Sequence, residues 1–435
     1  MSADESAGKP ADAAGNYRRL RVAVLTRNFS PASGGAERYA IALVEQLAAR
    51  HDITVFSQTC EHSWPGVSYK KIPLPFKRPR WLNQLWFACL SWGATRRGFD
   101  VVHSHENTWH ANVQTVHVMP VRHNLFKGHV QDHGEDHGKG HGRDHGEGHS
   151  GDLAGPQALQ SPLKRAVRWL KVLTSPRLMV YLALEHFRYR PQPGRRVVVT
   201  SKMLLDVFTQ CFPGAAGVTS VITPGIHLPA SCVSPQSQFE ARRQLGLPQG
   251  VPCLLFVGND FKKKGLQTLL DALLLLPQTT VLAVVGSAKQ SGPFKNQAAA
   301  SGLGSRVFFL GAMSDTAPAY QAATCLVHPT REDTFAMVVL EAMAHGLPVV
   351  VSGSKYCGVS GLLENDVNAL ILDDPRDAHG LGMALDLVLD DDGVSARLGR
   401  AARTFSEEFE WGGIAAQQEK LYYASVNAKL FQEPA

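Results

Sequence analysis

The feature that most constrains the fold is the alternation of short apolar segments with longer amphipathic ones. The segment LRVAVLT (20–26) is rich in β-branched residues, and GGAERYAIALVEQLAAR (34–50) follows it with the apolar spacing of a helix. After a segment rich in Pro and Ser at 224–238, which reads as a linker, the alternation begins again at 253. Such alternation places parallel strands in a sheet that helices cover on both faces. The predicted fold class is therefore α/β, with two doubly wound, Rossmann-like domains that face each other across a cleft.

The same pattern predicts where the domains begin and end. We expect a disordered tail over 1–18, a first domain over 19–228 and a second domain over 229–408. Within the first domain, 125–158 lack the alternation and form a predicted disordered insert rich in histidine and glycine. The last segment, 409–435, has aromatic residues at helical spacing and is predicted to cross back to the first domain.

Composition places the chain among globular proteins. Its 435 residues are 44% hydrophobic and 19% charged, which provides apolar material for two cores. The seven cysteines stand singly, so we expect neither a disulfide framework nor a zinc site, and a reducing compartment is favoured. The first residues lack the apolar run of a secretory signal. No stretch approaches the ~18 consecutive apolar residues of a membrane-spanning helix.

A histidine tract stands inside the predicted insert. Histidines recur at every fourth position from His129 to His149, which on a helix would align them as metal ligands. However, the six glycines between them oppose a helix by about 6 kcal/mol in total. We therefore expect a solvated loop without a fixed site, and loose binding of zinc, nickel or copper is the alternative.

Two carboxylates stand where ligands of such sheets bind. Asp333 lies in the loop REDTF after the apolar segment CLVHPT, and Glu341 lies in the helical segment that ends at Gly346. A carboxylate near the C-terminal ends of parallel strands can bind paired hydroxyls, and amides at a helix start favour an anion such as phosphate. The alternative is a loop aspartate and a helix glutamate that both face water. The amides concerned are those of Phe335, Ala336, Met337 and Val338.

Four segments together resemble a known family. DTFAMVVLEAMAHGLPVV (333–350) resembles the E-x7-E signature of retaining glycosyltransferases of the GT-B fold. FSPASGGAER (29–38) is similar to the glycine-rich first loop of that family, VGNDFKKKGLQTLLDAL (257–273) to its phosphate loop, and VITPGIHL (221–228) to the segment before its linker. The spacing GNDFKKKG most resembles that of bacterial lipopolysaccharide core glucosyltransferases. The resemblance extends over roughly 20–430 apart from the histidine tract.

Two positions depart from the family pattern. The first acid of the signature is usually glutamate and here is Asp333, and Glu332 could take its place if the loop shifted by one residue. The phosphate loop usually has arginine after its first glycine and here has Asn259, so neutralising a diphosphate falls to Lys263 and Lys264.

The resemblance implies a reaction and a set of site residues. A hexose would move from a nucleotide-diphosphate sugar, by resemblance a uridine one, to a hydroxyl of a lipopolysaccharide core or related glycolipid, with retained configuration and no metal or other cofactor. His117 is the expected sugar-contacting histidine, with His103 and His105 as alternatives, and a structural histidine is the other possibility. The base would lie near 309–311. The predicted catalytic residues are His117, Asp333 and Lys264, and the predicted donor-binding residues are Gly34, Gly35, Lys263, Lys264, Leu310, Phe335, Ala336, Met337, Val338 and Glu341.

The expected partners follow from two basic, aromatic segments. Residues 161–196 hold nine Lys or Arg against the single acid Glu185, and 76–92 repeat the mixture of cations and tryptophans. Such segments suit an anionic membrane surface or a phosphorylated glycolipid. The alternative is that they are helices that cover the first sheet with cations extending to water. We expect a cytoplasmic protein, peripheral on the inner face of the membrane, that binds no nucleic acid.

Two other functions fit the same fold. A sugar-nucleotide epimerase would need different cleft acids, and a phosphorylase would need a lysine-bound pyridoxal cofactor, for which no signature is seen. A catalytically degenerate protein that binds sugar nucleotide, or metal through its histidine tract, is the alternative that Asp333 and Asn259 keep open.

Overall fold

The structure is a computed structural model, and it describes residues 18–31, 34–76, 78–126 and 172–430. The predicted tail up to residue 17, the histidine tract and the first part of the basic segment at 161–196 lie outside the described residues. The predicted insert boundary at 125 is wrong, because residues 125 and 126 close the helix Val121–Phe126.

The first domain contains a fully parallel sheet. Its strands and a short neighbouring pair are β1 (Arg21–Leu25), β2 (Asn28–Phe29), β3 (Asp52–Ser57), β4 (Thr59–Cys60), β5 (Ser68–Lys71), β6 (Val101–Ser104), β7 (Val113–Val116), β8 (Arg196–Val199) and β9 (Thr219–Val221). The helices are α1 (Gly35–Leu47), α2 (Arg80–Thr95), α3 (Val121–Phe126), α4 (Pro176–Tyr189) and α5 (Lys202–Cys211). The seven-stranded sheet has the order β5-β3-β1-β6-β7-β8-β9, and β2 pairs with β4 beside it.

The second domain repeats the architecture with six strands. They are β10 (Cys253–Val257), β11 (Val281–Val285), β12 (Val307–Gly311), β13 (Cys325–His328), β14 (Val349–Ser352) and β15 (Leu370–Leu372), in the order β12-β11-β10-β13-β14-β15. The helices are α6 (Pro235–Leu245), α7 (Leu266–Leu273), α8 (Ala288–Ala300), α9 (Ala317–Ala322), α10 (Met337–Ala344), α11 (Ala378–Asp390) and α12 (Asp392–Glu407). The predicted pair of doubly wound domains is confirmed.

Burial on both faces explains why these strands read as unbroken apolar runs. All five residues of β10 and of β11 are buried. Neighbouring residues point to opposite faces, so Leu254 packs into one apolar core and Leu255 into another. Parallel strands covered on both sides by helices have this pattern, whereas half-exposed strands alternate.

The chain crosses between the domains twice, and the two crossings lie side by side. Ile226 donates its amide to Phe409 O at 2.8 Å, and the amide of Trp411 donates to Ile226 O at 3.3 Å. After the second crossing, the helix α13 (Trp411–Leu430) packs against α1, with Trp411 and Tyr422 in the first-domain core. The predicted return of the C-terminal helix to the first domain is confirmed.

The linker is shorter than the sequence predicts. Ser234 and Ser237 form a reciprocal capping box, which satisfies amides at the start of α6. The helix therefore begins at Pro235, inside the segment 224–238 that we assigned to the linker.

Candidate functional site

A cavity of about 480 Å³ lies between the domains at the C-terminal ends of both sheets. The first domain contributes the loop before α1 and the loop after β7. The second domain contributes the loops after β10 and β13 and the first turn of α10. Lining residues used below are Gly34, Gly35, Glu37, Arg38, His117, Gly258, Asn259, Lys264, His328, Asp333, Thr334, Phe335, Ala336, Met337 and Val338.

Asp333 is held by four donors. Its Oδ2 accepts from the Lys264 ammonium and from His328 Nε2 at 3.1 Å. Its Oδ1 accepts from the amides of Phe335 at 3.3 Å and Ala336 at 3.0 Å. Burial opposes ionisation of the carboxyl, but the Lys264 charge and the His328 hydrogen bond hold the pKa of Asp333 well below its usual range. Asp333 is therefore a carboxylate at the cavity wall.

Glu332 faces away from this cavity. Its carboxylate accepts a 2.6 Å hydrogen bond from Lys263, whose side chain is half-exposed. Of the two neighbouring acids, the structure places Asp333 in the cavity. The two neighbouring lysines also differ in position. Lys264 lines the cavity, and the predicted donor-binding residue Lys263 does not.

The start of α10 offers fewer free amides than the sequence suggests. Asp333 already accepts from the amides of Phe335 and Ala336, so these two are not open to a phosphate. The amides of Met337 and Val338 lie in the first turn of α10, where an α-helix provides no acceptor. Both residues line the cavity, and they are the amides to which an anion can bind.

Glu341 does not line this cavity and lies nearer the two interdomain crossings at Ile226 and Trp411. It lines a second cavity of about 380 Å³, together with Arg38, Tyr320 and His345. Tyr320 donates its hydroxyl to Glu341 Oε2 at 2.6 Å, and Arg38 of the first domain lies 3.2 Å from Oε1. Burial raises the pKa of Tyr320 well above its usual value, so the hydroxyl remains a donor. The carboxylate thus joins the two domains.

The three candidate histidines occupy different positions. His117 lines the main cavity, with Nε2 at 2.9 Å from His105 Nδ1. His103 is fully buried between Tyr422 and Thr115, each at 2.7 Å, and has a structural role. Burial lowers the pKa of His103 and of His117 to about 3, so both rings are neutral. Of the three, only His117 reaches the cavity.

The remaining predicted residues lie on either side of the cleft. Gly34 precedes α1 and Gly35 is its first residue, and a Cβ on Gly35 would be 3.8 Å from Met337 Sδ of the other domain. Leu310 packs against the second-domain core and does not line the cavity, whereas Ala312 and Met313 of the following loop do.

Several cavity residues were not singled out from the sequence. Glu37 and Arg38 stand within GGAER, directly after the glycines, and burial raises the pKa of Glu37. His328 is the last residue of β13, directly before the loop that bears Asp333. That position at a strand end is the sequence signal that could have identified it as a site residue. Thr334 carries no distinguishing signal in the sequence.

The predicted basic surface is partly buried. Arg188 donates to Gln114, Asn107 and Thr115 O, and Arg195 donates to four backbone carbonyl groups. Glu185 accepts from two amides at the start of α3. Both arginines stabilise the first domain and are not available to a membrane, so this part of the prediction is wrong.

The described part of the chain offers neither a metal cluster nor a helix that spans a bilayer. It contains no group of three or more His, Cys, Asp or Glu side chains placed to hold a metal ion. None of its helices is long and apolar enough to cross a bilayer.

Two family models match the chain in succession. The model described as Glycosyltransferase Family 4 matches 33–228, and the model described as Glycosyl transferases group 1 matches 237–405. They correspond to the two domains of the structure.

Curated relatives cover part of the chain. D-inositol 3-phosphate glycosyltransferase of Corynebacterium glutamicum is 30% identical over 220 residues, which is 48% of this chain and 52% of that protein. Glycogen synthase of Mycobacterium tuberculosis is 30% identical over 248 residues, or 55% of this chain and 56% of that protein. The chain thus spans about half the length of the curated relatives it matches.

Solved structures share the whole two-domain fold. WaaG, a glycosyltransferase involved in lipopolysaccharide biosynthesis, superposes with a TM-score of 0.73 at 19% identity, covering 92% of this chain and 99% of that one. Anabaena HepE in complex with UDP-glucose superposes with a TM-score of 0.66 at 20% identity, covering 93% of this chain and 100% of that one. At these identities the likeness concerns the fold.

Proposed function

Because the chain belongs to the glycosyltransferases of the GT-B fold, we propose that it transfers a hexose from a uridine-diphosphate sugar to a hydroxyl of a lipopolysaccharide core or related glycolipid. The observation that carries the proposal is the cluster of Lys264, His328 and Asp333 at the start of α10. It places a cation, a carboxylate and free helix amides together in one cavity, which suits a donor that combines a diphosphate with sugar hydroxyls.

The donor is proposed to lie along the second domain. The amides of Met337 and Val338 and the Lys264 ammonium would bind the diphosphate, and Glu341 would accept from the ribose hydroxyls. The base would lie beside Ala312 and Met313, which line the main cavity with Lys264, whereas Glu341 lines the second cavity, and Met337 lines both. The UDP-glucose complex of HepE supports a uridine donor for this fold.

The residues of the cavity can assist departure of the diphosphate without a metal ion. Negative charge develops on that group as the bond to the sugar breaks, and fixed donors aimed at it stabilise the transition state. Lys264 and the α10 amides are such donors. His117, neutral and on the opposite wall, would hydrogen-bond the sugar. We propose that the configuration is retained and that the leaving phosphate accepts the proton of the acceptor hydroxyl.

The adjacent lysines provide a matched test of this assignment. Lys264→Met is expected to lower turnover about 100-fold, the effect typical of removing one donor to a developing anion. Lys263→Met removes the same charge one residue away, outside the cavity, and is expected to stay within threefold of the wild type. Equal losses in the two variants would show that the diphosphate does not bind at the wall where Lys264 lies.

An exposed apolar patch on the first domain is proposed to contact the membrane that carries the acceptor. Phe76 and Trp86 lie 6.3 Å apart and are 42% and 37% exposed, and Leu90 is 37% exposed on the same helix as Trp86. The exposed Arg78 and Arg80 stand beside them in the sequence. Aromatic residues with cations bind anionic lipid surfaces. We propose a cytoplasmic enzyme on the inner face of the membrane.

Sedimentation with lipid vesicles tests this patch. The full chain is expected to bind vesicles containing phosphatidylglycerol and not vesicles of phosphatidylcholine alone. Replacing Phe76 and Trp86 by serine should reduce binding at least fivefold, because two interfacial anchors are lost. Replacement of the exposed Phe239 of the second domain provides the control. Unchanged binding in the double variant would exclude the patch as the contact.

Nucleotide binding tests the donor assignment. Thermal unfolding is measured with UDP, GDP, ADP and CMP, each with and without EDTA. UDP at 100 times its dissociation constant should stabilise the protein by about 2.7 kcal/mol, and the effect should survive EDTA. Absence of stabilisation by all four nucleotides would contradict the proposed function.

A catalytically degenerate sugar-nucleotide-binding protein is the second candidate. It is favoured by Asn259 in place of a cation in the phosphate loop and by the shorter acid Asp333. Tight UDP binding without transfer or hydrolysis of UDP-glucose would support it, and measurable transfer would exclude it.

A further inference from the structure

The carboxylate of Asp333 has no lone pair left for a ligand. An ionised carboxylate offers about four acceptor positions. In the structure Oδ1 accepts from two backbone amides, and Oδ2 accepts from Lys264 and His328. The side chain lies at the cavity wall, yet a sugar hydroxyl can donate to it only if one of these four donors leaves.

Three of the four donors are fixed. The amides of Phe335 and Ala336 belong to the backbone turn that begins α10. The His328 side chain is 1% exposed, and it is held at the end of β13. Its ring must carry the proton on Nε2 to donate to a carboxylate, because burial lowers the pKa of His328 and keeps the ring neutral. None of these groups can move without disturbing the core.

Lys264 is the donor that can leave. Its ammonium is at the end of a flexible four-carbon stem and lies on the cavity wall. Gly258 faces the stem, and a Cβ at that position would be 3.0 Å from Lys264 Cγ. The absence of a side chain at Gly258 therefore lets the lysine stem pass close to the backbone of the loop where a diphosphate would bind.

We propose that Lys264 transfers its hydrogen bonds from Asp333 to the diphosphate of the donor, and that Asp333 Oδ2 then accepts from a hydroxyl of the donor sugar. This inference rests on the proposed function. The Lys264–Asp333 pair blocks the sugar subsite until a diphosphate draws the lysine away. Recognition of the sugar is thereby coupled to recognition of the diphosphate, and a free sugar without a nucleotide does not bind.

The exchange makes an unusual prediction for the affinity of the nucleotide alone. UDP must break the Lys264–Asp333 pair and leaves Asp333 with an empty acceptor position, whereas UDP-glucose fills that position. Asp333→Asn removes the negative partner, so Lys264 is free from the start. The Asn oxygen can still accept from the helix amides, and the Asn NH2 can donate to Nε2 of the neutral His328 ring in its other tautomer. UDP should therefore bind this variant as tightly as the wild type or up to tenfold tighter, while the advantage of UDP-glucose over UDP is lost.

Isothermal titration of the full chain with UDP and with UDP-glucose tests the exchange. Wild type should bind UDP-glucose at least fivefold more tightly than UDP, and Asp333→Asn should bind the two equally. Glu332→Gln removes the neighbouring acid–lysine pair outside the cavity and should match the wild type with both ligands.

Three other results of the titrations would contradict either the exchange or the proposed function. Tenfold weaker UDP binding in Asp333→Asn would overturn the exchange, because the acid would then support nucleotide binding directly. Equal wild-type affinities for UDP and UDP-glucose would overturn it as well. If the wild type binds neither ligand, nor GDP, ADP or CMP, the proposed function itself fails, which is distinct from either result above.

Discussion

Ala336 adopts a left-handed backbone conformation, with φ of 73°, at the residue that precedes α10. Such a conformation costs a residue with a Cβ roughly 1–2 kcal/mol. The turn is maintained because Asp333 accepts from the amides of Phe335 and Ala336. The strain therefore lies where the chain must present two further amides to the cavity, at Met337 and Val338.

Ala336→Gly should relieve this strain. We expect the free energy of unfolding to rise by about 0.5–1 kcal/mol, since glycine adopts positive φ without a steric cost but loses more chain entropy on folding. Thermal unfolding measures the change. Ala342→Gly, inside α10, is the control and should destabilise by about 2 kcal/mol, because it loses helix propensity and a buried methyl group. A loss of stability in Ala336→Gly would show that the Ala336 methyl group contributes more to packing than the backbone strain costs.

At the scale of single residues, the sequence could identify which residues belong to the site but not which way their side chains point. It pointed to Asp333 and to a lysine pair, because both stand in loops that follow apolar strands and both lie in segments that resemble the family motifs. It could not separate Lys263 from Lys264, because which of two adjacent side chains faces the cleft depends on the turn that ends at Gly265. Nor could it show the contact between Lys264, His328 and Asp333, which joins two loops and a strand end.

At the scale of elements, Gly265 fixes the geometry of the loop between β10 and α7. It caps α7 with φ of 80°, and a Cβ there would be 1.9 Å from Pro329 O of the loop after β13. This close approach brings the loop bearing Lys264 against the loop bearing Asp333. The glycine is thus required by both its conformation and its neighbour.

Gly265→Ala is expected to destabilise the second domain by about 2–4 kcal/mol, because strain at positive φ and the clash with Pro329 O act together. Urea unfolding measures the change. Gly246→Ala separates the two causes, since Gly246 caps α6 with φ of 66° and has no atom near its Cβ position. The control should lose only about 1 kcal/mol. Equal losses of stability in the two variants would mean that the loops bearing Lys264 and Asp333 can move apart without a cost in free energy.

The elements themselves were largely predictable, and the reason is burial on both faces of each sheet. Strands such as β10 and β11 are continuous apolar runs bounded by polar loops, which few other structures produce. The linker was assigned too long because a capping box of two serines, Ser234 and Ser237, resembles an irregular Ser-rich segment. The prediction of a basic surface over 161–196 failed at Arg188 and Arg195 for a related reason. Both arginines bury their charges against carbonyl groups of neighbouring loops.

At the scale of the whole molecule, buried neutral histidines make stability depend on pH. Burial lowers the pKa of His103 to about 3, below the value of about 6.5 in an unfolded chain. As pH falls below 6.5, the unfolded state binds a proton that the folded state does not, so stability is lost. At pH 5 the loss from this residue is about 2 kcal/mol.

His103→Gln should therefore flatten the dependence of stability on pH between 7 and 5. Glutamine can still bond Tyr422 and Thr115 without a titrating group. Urea unfolding at both values measures the slope, and His186→Gln on the exposed face of α4 should leave it unchanged. An identical slope in wild type and His103→Gln would show that His103 is not the group that titrates.

The two domains meet directly at the loop between β13 and α10 through Thr334. Its hydroxyl donates to His117 O at 2.8 Å, and its carbonyl accepts from Ser201 Oγ at 2.7 Å, so the first domain holds the residue next to Asp333 from two sides.

Thr334→Val keeps the shape of the side chain and removes the hydrogen bond to His117 O. The net value of that bond, about 1 kcal/mol, corresponds to a fivefold shift toward separation of the domains. Small-angle scattering should show a larger radius of gyration, and turnover should fall more than nucleotide affinity, because the groups proposed to bind the nucleotide all lie in the second domain. Thr334→Ser should restore both quantities, and Thr209→Val, whose hydroxyl bonds within α5, should change neither. A Thr334→Val protein with wild-type dimensions and turnover would mean that closure is maintained by the Arg38–Glu341 contact instead.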